Sequence, residues 1–130
     1  MYQNVFHTSM SRAAEYYQHM NIKKIVGLTR GGLPLAVKLS HALQVPMETL
    51  DWQTRDGSNK DVAKLQSLLF EQGLLFVDDI CDSGLTIEQI KNYAPNSQWY
   101  VLVDKQCKDS TIKGALQMKD DHRWIVFPWE

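Results

Sequence analysis

The chain has 130 residues, of which 44% are hydrophobic, and a formal net charge of −1 at neutral pH. This length fits one domain with a real core, so we expect residues 1–130 to form a single domain. The near-neutral charge argues against a nucleic-acid-binding surface, and no apolar stretch in the sequence approaches the length of a membrane span. Two cysteines without metal-binding spacing, and an N-terminus without the apolar core of a signal peptide, fit a reducing compartment. We therefore expect a cytoplasmic protein.

Helix and strand patterns alternate along the chain. The sequence predicts helices from Thr8 or Ser9 to about Met20 and over 34–43, 62–69 and 87–93. Between them it predicts strands over 25–28, 47–52, 74–79 and 99–103, and a polar loop over 53–60. An apolar tail over 124–129 is expected to dock near the sheet edge. This alternation predicts an α/β fold, a mostly parallel twisted sheet flanked by helices, which binds ligands at the carboxyl ends of its strands.

The most informative segment is 76–86, in which an apolar strand leads through three acids into a glycine turn and a helix. Asp78 and Asp79 are adjacent, and Asp82 follows just before the turn. N–H groups at the start of a helix favour an anion, whereas the carboxylates suit hydroxyls, a divalent metal or a proton to be removed. The segment therefore predicts a ligand that carries both phosphate and sugar hydroxyls.

Residues 77–86, VDDICDSGLT, resemble the phosphoribosyl-pyrophosphate (PRPP) signature of type I phosphoribosyltransferases. That family transfers ribose 5-phosphate from PRPP to a nitrogen base and releases pyrophosphate. The resemblance implies that Asp78 and Asp79 face the ribose hydroxyls, directly or through water bound to Mg²⁺. It also implies that the following residues hold the 5′-phosphate: Asp82, Ser83, Gly84, Leu85 and Thr86.

Asp82 has two interpretations. In purine-using members of the family, the matching aspartate lies near N7 of the base and acts as general acid or base, because N7 loses a proton when N9 bonds to ribose. The alternative is that Asp82 merely caps the helix. The family match favours the catalytic role.

Two other loops correspond to binding loops of the family. The turn Thr29-Arg30-Gly31-Gly32 resembles the pyrophosphate loop, in which the arginine offers donors and the glycines expose N–H groups. The loop 53–60 matches the flexible hood that closes over PRPP and excludes water from the ribosyl cation. Arg55 and Lys60 are candidates to reach pyrophosphate, and for each of them a solvated loop with incidental charge is an equal alternative.

The base site is indicated by Lys105 and by the last residues. Lys105 matches a lysine that donates to the purine O6 in 6-oxopurine enzymes, and Trp124 matches an aromatic residue that stacks on the purine. Ile125 matches the residue whose backbone reads the purine edge. Residues 124–130, WIVFPWE, resemble the C-terminal segment of xanthine–guanine phosphoribosyltransferases, in which an aspartate at the position of Glu130 helps to bind magnesium or the group at purine C2.

The resemblance implies a Mg²⁺-dependent enzyme of purine salvage that acts on hypoxanthine, guanine or xanthine, with Asp78, Asp79 and Glu130 as metal ligands. Adenine fits less well because a 6-amino group cannot accept from a lysine. We expect a homodimer or higher homo-oligomer, and no nucleic-acid or membrane partner. Two alternatives stay open: a non-catalytic module of the same fold that senses PRPP or a nucleotide, and a phosphoribosyltransferase for another base. Lys105 and the tail with Trp124 argue against both.

Overall fold

A computed structural model of the chain describes residues 2–29, 31–52, 61–95, 97–106 and 112–117, with side chains from residue 8 onward. Its elements in chain order are α1 (Tyr2–Tyr17), β1 (Lys24–Thr29), α2 (Leu33–Leu43), β2 (Met47–Asp51), α3 (Val62–Leu68), β3 (Leu74–Cys81), α4 (Leu85–Lys91), β4 (Gln98–Asp104) and β5 (Ile112–Gln117). Within these ranges, no helix is both long enough and apolar enough to cross a bilayer.

The strands form one parallel sheet of five strands in the order β2-β1-β3-β4-β5. The chain moves outward from β1 to β2, returns to place β3 on the other side of β1, and then continues to the opposite edge. The strand order therefore reverses between β1 and β3. In open α/β sheets, ligands bind at such a reversal, beyond the carboxyl ends of the strands.

Helices cover both faces of the sheet, and each face has its own apolar core. On one face α1 and α2 pack on alternate strand residues such as Leu75 and Val77. On the other face α3 and α4 pack on the intervening residues, among them Phe76, whose ring stacks on Trp99 with centroids 5.1 Å apart. Because β3 is covered on both faces, three successive side chains are at most 1% exposed: Leu75, Phe76 and Val77.

A glycine in β1 brings α2 close to the sheet. A Cβ at Gly27 would lie 2.7 Å from the Cβ of Ala36, so no larger residue fits between this strand and this helix. Pro34 near the first turn suits the helix start because proline has no N–H to leave unsatisfied there. The close packing fixes α2, and with it the turn between β1 and α2.

The predicted α/β fold with a parallel sheet is confirmed, with differences at the element ends. β3 runs to Cys81, two residues beyond the predicted end at Asp79, since the strand keeps its pairing with β4 to its last residue. α4 begins at Leu85, two residues before the predicted start. α1 begins at Tyr2, because a threonine or serine that suits a cap also fits inside a helix held by packing.

The structure also contains β5, which the sequence pattern does not predict. This edge strand pairs with β4 from Trp99 opposite Ile112 to Asp104 opposite Gln117. Lysine, glycine and glutamine interrupt its apolar residues, so it lacks the alternation of a half-buried strand.

Candidate functional site

The carboxyl ends of four neighbouring strands meet at one edge of the sheet. Thr29 at the end of β1 lies opposite Asp51 at the end of β2, and its Oγ1 donates a hydrogen bond of 3.2 Å to the Asp51 Oδ1. Cys81 at the end of β3 lies opposite Asp104 at the end of β4. The loops that the sequence singles out after β1, β3 and β4 therefore start from the same edge.

The glycine turn after β1 lies directly against the acidic part of β3. A Cβ at Gly31 would overlap the carboxylate of Asp79. A Cβ at Gly32 would overlap the main-chain oxygen of Val77 and would lie 2.9 Å from that of Leu28. The backbone of this turn thus approaches β3 as closely as it does only because both residues lack side chains.

Asp78 and Asp79 form a pair of interacting carboxyl groups at the strand reversal. The Asp79 N–H donates to Asp78 Oδ1 at 2.8 Å, and both residues are half-buried. Burial, and then the neighbouring charge of Asp79, raises the pKa of Asp78 well above the ordinary aspartate value. A site that disfavours the ionised pair gains from a bound cation or from hydroxyl donors, because either reduces the repulsion between the carboxylates.

The turn after β3 is open to solvent and built for a close approach of its backbone. Gly84 has a φ of +82°, a left-handed conformation that suits glycine, and α4 starts at the next residue. The Leu85 N–H donates to the Ser83 Oγ at 3.2 Å, whereas Asp82 and Ser83 are exposed. The Ser83 side chain thus binds one N–H of this turn, and the side chain of Asp82 is exposed to solvent.

The segment after β4 is bound to the turn after β3. The Lys105 N–H donates to the Cys81 main-chain oxygen at 2.9 Å, which places this half-buried lysine beside the acidic turn. The next residue, Gln106, donates its side-chain amide to the main-chain oxygen of Asp82. The sequence pattern predicts the place of Lys105 but gives no sign of the Gln106 contact, which depends on the register of two strands.

Cys81 lies beneath the acidic turn as a buried thiol. Burial, followed by the charge of Asp104 and a hydrogen bond to its carboxylate, raises the pKa of Cys81 to about 12. The thiol therefore stays protonated at neutral pH and is a poor nucleophile.

Six of the predicted site residues lie outside the described part of the chain: Arg30, Arg55, Lys60, Trp124, Ile125 and Glu130. The structure does bring together Thr29, Gly31, Gly32, Asp78, Asp79, Asp82, Ser83, Gly84, Leu85, Thr86 and Lys105 at one edge of the sheet.

The sheet is parallel, and two turns lie at its strand reversal: the glycine turn after β1, and the turn after β3 that leads from the acids into α4. These features are typical of a class of α/β proteins that bind phosphorylated ligands at this edge. The sequence model of the phosphoribosyl transferase domain matches residues 2–130. The chain belongs to this family, the phosphoribosyltransferases, and is an enzyme of it.

Similar sequences are found among xanthine-guanine phosphoribosyltransferases. The protein of that name from Cereibacter sphaeroides is 27% identical over 115 residues, which cover 83% of this chain and 69% of that protein. The one from Desulfotalea psychrophila is 26% identical over 117 residues, with coverage of 83% and 70%.

Solved structures share the fold. The purine phosphoribosyltransferase of Pyrococcus horikoshii superposes with a TM-score of 0.71 at 24% identity, covering all of this chain and 92% of that one. The xanthine-guanine-hypoxanthine phosphoribosyltransferase of Helicobacter pylori gives a TM-score of 0.64 at 22% identity, covering all of this chain and 90% of that one. The predicted family and fold class are confirmed.

Proposed function

We propose that this enzyme transfers ribose 5-phosphate from PRPP to N9 of a 6-oxopurine, which yields a nucleoside 5′-monophosphate and pyrophosphate. One observation carries the proposal: the glycine turn after β1 lies against Asp79 of β3, and the N–H of Lys105 is hydrogen-bonded to the end of the same strand. The sites that we propose for pyrophosphate, ribose, phosphate and base would thus follow one another along a single edge. The similarity to xanthine-guanine phosphoribosyltransferases supports the choice of base.

The turn after β3 would bind the 5′-phosphate of PRPP. Its exposed backbone offers N–H groups, and Ser83 and Thr86 offer hydroxyls. Among the described residues, only the side chain of Gln106 comes within 3.6 Å of the place where a Cβ on the left-handed Gly84 would be, so the phosphate can approach the main chain. We assign the pyrophosphate to the turn 29–32, with donors from Arg30 and from the hood residues Arg55 and Lys60.

The acid pair would face the ribose and a Mg²⁺ ion. Asp78 and Asp79 fit such an ion because they supply hard oxygen ligands and repel each other without a cation. Within the described ranges, no group of three or more His, Cys, Asp or Glu side chains forms a metal site. Further ligands would come from PRPP, from water and from Glu130. A bound Mg²⁺ would neutralise charge on the leaving pyrophosphate.

Asp82 would accept the proton that leaves purine N7 as N9 bonds to C1 of the ribose. Its side chain is exposed at the turn, and the segment with Lys105 is tied to the same turn. The ammonium group of Lys105 would donate to O6, and Trp124 and Ile125 would hold the purine ring and its edge. A 6-amino group offers no acceptor in place of O6, so this pocket would disfavour adenine.

The assembly and the compartment are part of the same proposal. We propose a single-domain cytoplasmic protein that binds PRPP and a purine, and neither nucleic acid nor membrane. Several large apolar side chains are exposed on the described surface, among them Phe70 at 92%, which suits a homodimer or higher homo-oligomer. Light scattering coupled to size-exclusion chromatography tests this, and a monomer at all concentrations would contradict it.

The test is to incubate the protein with PRPP and one base at a time, with Mg²⁺ or with EDTA, and to follow nucleotide formation. We expect products from hypoxanthine, guanine or xanthine, little from adenine or orotate, and none in EDTA. Product from adenine or orotate alone would refute the choice of base. PRPP binding without product from any base would favour the sensing module instead.

A further inference from the structure

We propose that Gln106 is a positioning residue that sets the orientation of the peptide between Asp82 and Ser83. This inference rests on the proposed function, because it assumes that the turn after β3 binds the phosphate of PRPP. Gln106 does not touch a reacting atom in this scheme. It acts through the turn that holds the phosphate and the carboxylate of the general base.

Gln106 is held at two points. Its own N–H donates to the Oδ1 of Asp104 at 3.0 Å, and its side-chain amide donates to the main-chain oxygen of Asp82. The side chain also lies along the turn, since its Cγ is 3.6 Å from the place of a Cβ on Gly84. Because Gln106 is held by hydrogen bonds at its main chain and at its side-chain amide, it links the end of β4 to the turn after β3. We call this connection the Gln106 link.

Because the peptide bond is planar, this contact also fixes the direction in which the Ser83 N–H points. In a trans peptide the carbonyl and the N–H point in opposite directions. When the amide of Gln106 binds the Asp82 oxygen, the N–H of Ser83 must point away from Gln106, and the Asp82 backbone is held. If this peptide rotated, a carbonyl oxygen could replace the N–H on the phosphate side and repel the phosphate.

Asp104 holds the main chain of Gln106 in place. Its side chain is 1% exposed, and it accepts hydrogen bonds from the Gln106 N–H and from the thiol of Cys81. The neighbouring strand makes room for it, because a Cβ at Gly114 would lie 2.8 Å from the Asp104 Cβ. A carboxylate buried in this way is costly unless it is hydrogen-bonded, so its two donors are firmly held.

The Gln106 link also connects the two parts of the proposed site, the purine part and the phosphate part. Lys105 lies between Asp104 and Gln106 in the chain, and its N–H binds the main-chain oxygen of Cys81. The residue proposed to read the purine is therefore fixed relative to the turn proposed to bind the phosphate. A loss of the Gln106 amide would loosen the turn while the main-chain bond of Lys105 remained.

Two variants test the role. Gln106→Leu keeps a similar volume and removes the donor, and Gln106→Glu replaces the donor with a charged acceptor. Loss of one hydrogen bond corresponds to about a 10-fold rise in the Kd and KM for PRPP, and we expect a larger rise for Gln106→Glu. The KM for the purine and the thermal midpoint should change little. The matched control is Gln72→Glu, which adds the same charge at an exposed position just before β3, at the opposite edge of the sheet, and should leave PRPP binding unchanged.

The outcomes separate this inference from the proposed function. Wild-type PRPP affinity and KM in both Gln106 variants would overturn the inference. An equal loss for PRPP and purine together with a lower thermal midpoint would show a structural role and would also overturn it. If the wild type binds PRPP by calorimetry but converts no base, the proposed transfer fails, and the Kd ratio of the variants still decides the inference. A wild type that does not bind PRPP overturns both.

Discussion

The two turns at the strand reversal are held in place by different means. The turn after β1 is fixed by packing: its glycines lie against β3 and β1, and Gly32 both donates to Leu28 and accepts from Ala36 at 2.9 Å. The turn after β3 is exposed and fixed by two side-chain hydrogen bonds: the Ser83 Oγ accepts from the Leu85 N–H, and the Gln106 amide donates to the Asp82 main-chain oxygen. The first turn therefore excludes side chains for steric reasons, whereas the second depends on the residues that bind it.

The largest expected effect tests the chemistry of the exposed turn. Asp82→Asn keeps the size of the side chain and removes its ability to accept the N7 proton. We expect kcat to fall by about 10²- to 10⁴-fold, the usual contribution of a general acid or base. The Kd for PRPP, measured by calorimetry, should stay close to that of the wild type. Unchanged turnover in this variant would remove the general-base role.

The packed turn should be the more sensitive to an added methyl group. In Gly32→Ala the new Cβ would meet two main-chain oxygens that cannot move independently of the sheet. We expect a loss of about 3 kcal/mol in the free energy of unfolding, at the upper end for overpacked cores. Urea denaturation followed by circular dichroism measures it. A loss below about 1 kcal/mol would show that the turn relaxes and that packing does not fix it.

The same substitution in the exposed turn gives the matched comparison. In Gly84→Ala the nearest described neighbour of the new Cβ is 3.6 Å away, an ordinary contact, so we assign the cost to the φ of +82°. We expect a loss of about 1–2 kcal/mol, the penalty for a left-handed residue with a side chain. If Gly84→Ala destabilises the fold more than Gly32→Ala, the contrast between the two turns is wrong.

The acid pair lies between the two turns and should make the stability of the protein depend on pH. Because burial raises the pKa of Asp78 in the folded state, the folded protein holds a proton that the unfolded chain releases. The free energy of unfolding therefore falls as the pH rises from the ordinary aspartate range through the folded pKa. Asp78→Asn removes this cost and keeps an acceptor for the Asp79 N–H.

We expect Asp78→Asn to melt at a higher temperature than the wild type at pH 8 in EDTA, with a smaller gap at pH 5. Calorimetric scans across this range measure the gap. A gap that stays constant, or that grows as the pH falls, would contradict the assignment. The same variant should bind PRPP with Mg²⁺ more weakly, because one of the two proposed metal ligands is lost.

Much of the fold follows from local patterns in the sequence. The strands near the centre of the sheet are apolar runs, and the helices between them keep helical spacing, so the alternation alone predicts a parallel sheet. β5 could not be predicted in this way because its pairing with β4, rather than its own composition, makes it a strand. The last two residues of β3, Ile80 and Cys81, could not be predicted because they follow two acids, which are poor strand formers, and only the pairing with β4 extends the strand to Cys81.

The candidate site likewise has features that the sequence predicts and features that it does not. Acids and glycines at strand ends can be recognised in the sequence, since their types suit phosphate, sugar and metal. The contact from Gln106 to Asp82 cannot, because it depends on the register that places Asp104 opposite Cys81. The raised pKa of Asp78 likewise reflects burial by the surrounding fold, which the adjacent pair of acids alone does not reveal.

The most direct test of the proposed function is a competition. The protein is mixed with Mg²⁺, limiting PRPP and equal concentrations of hypoxanthine, guanine, xanthine and adenine, and the nucleotides are separated by chromatography. We predict that the 6-oxopurine nucleotides together exceed AMP by about 100-fold or more, because a donor placed for O6 rejects a 6-amino group. AMP as the main product, or no nucleotide at all, would contradict the proposed function.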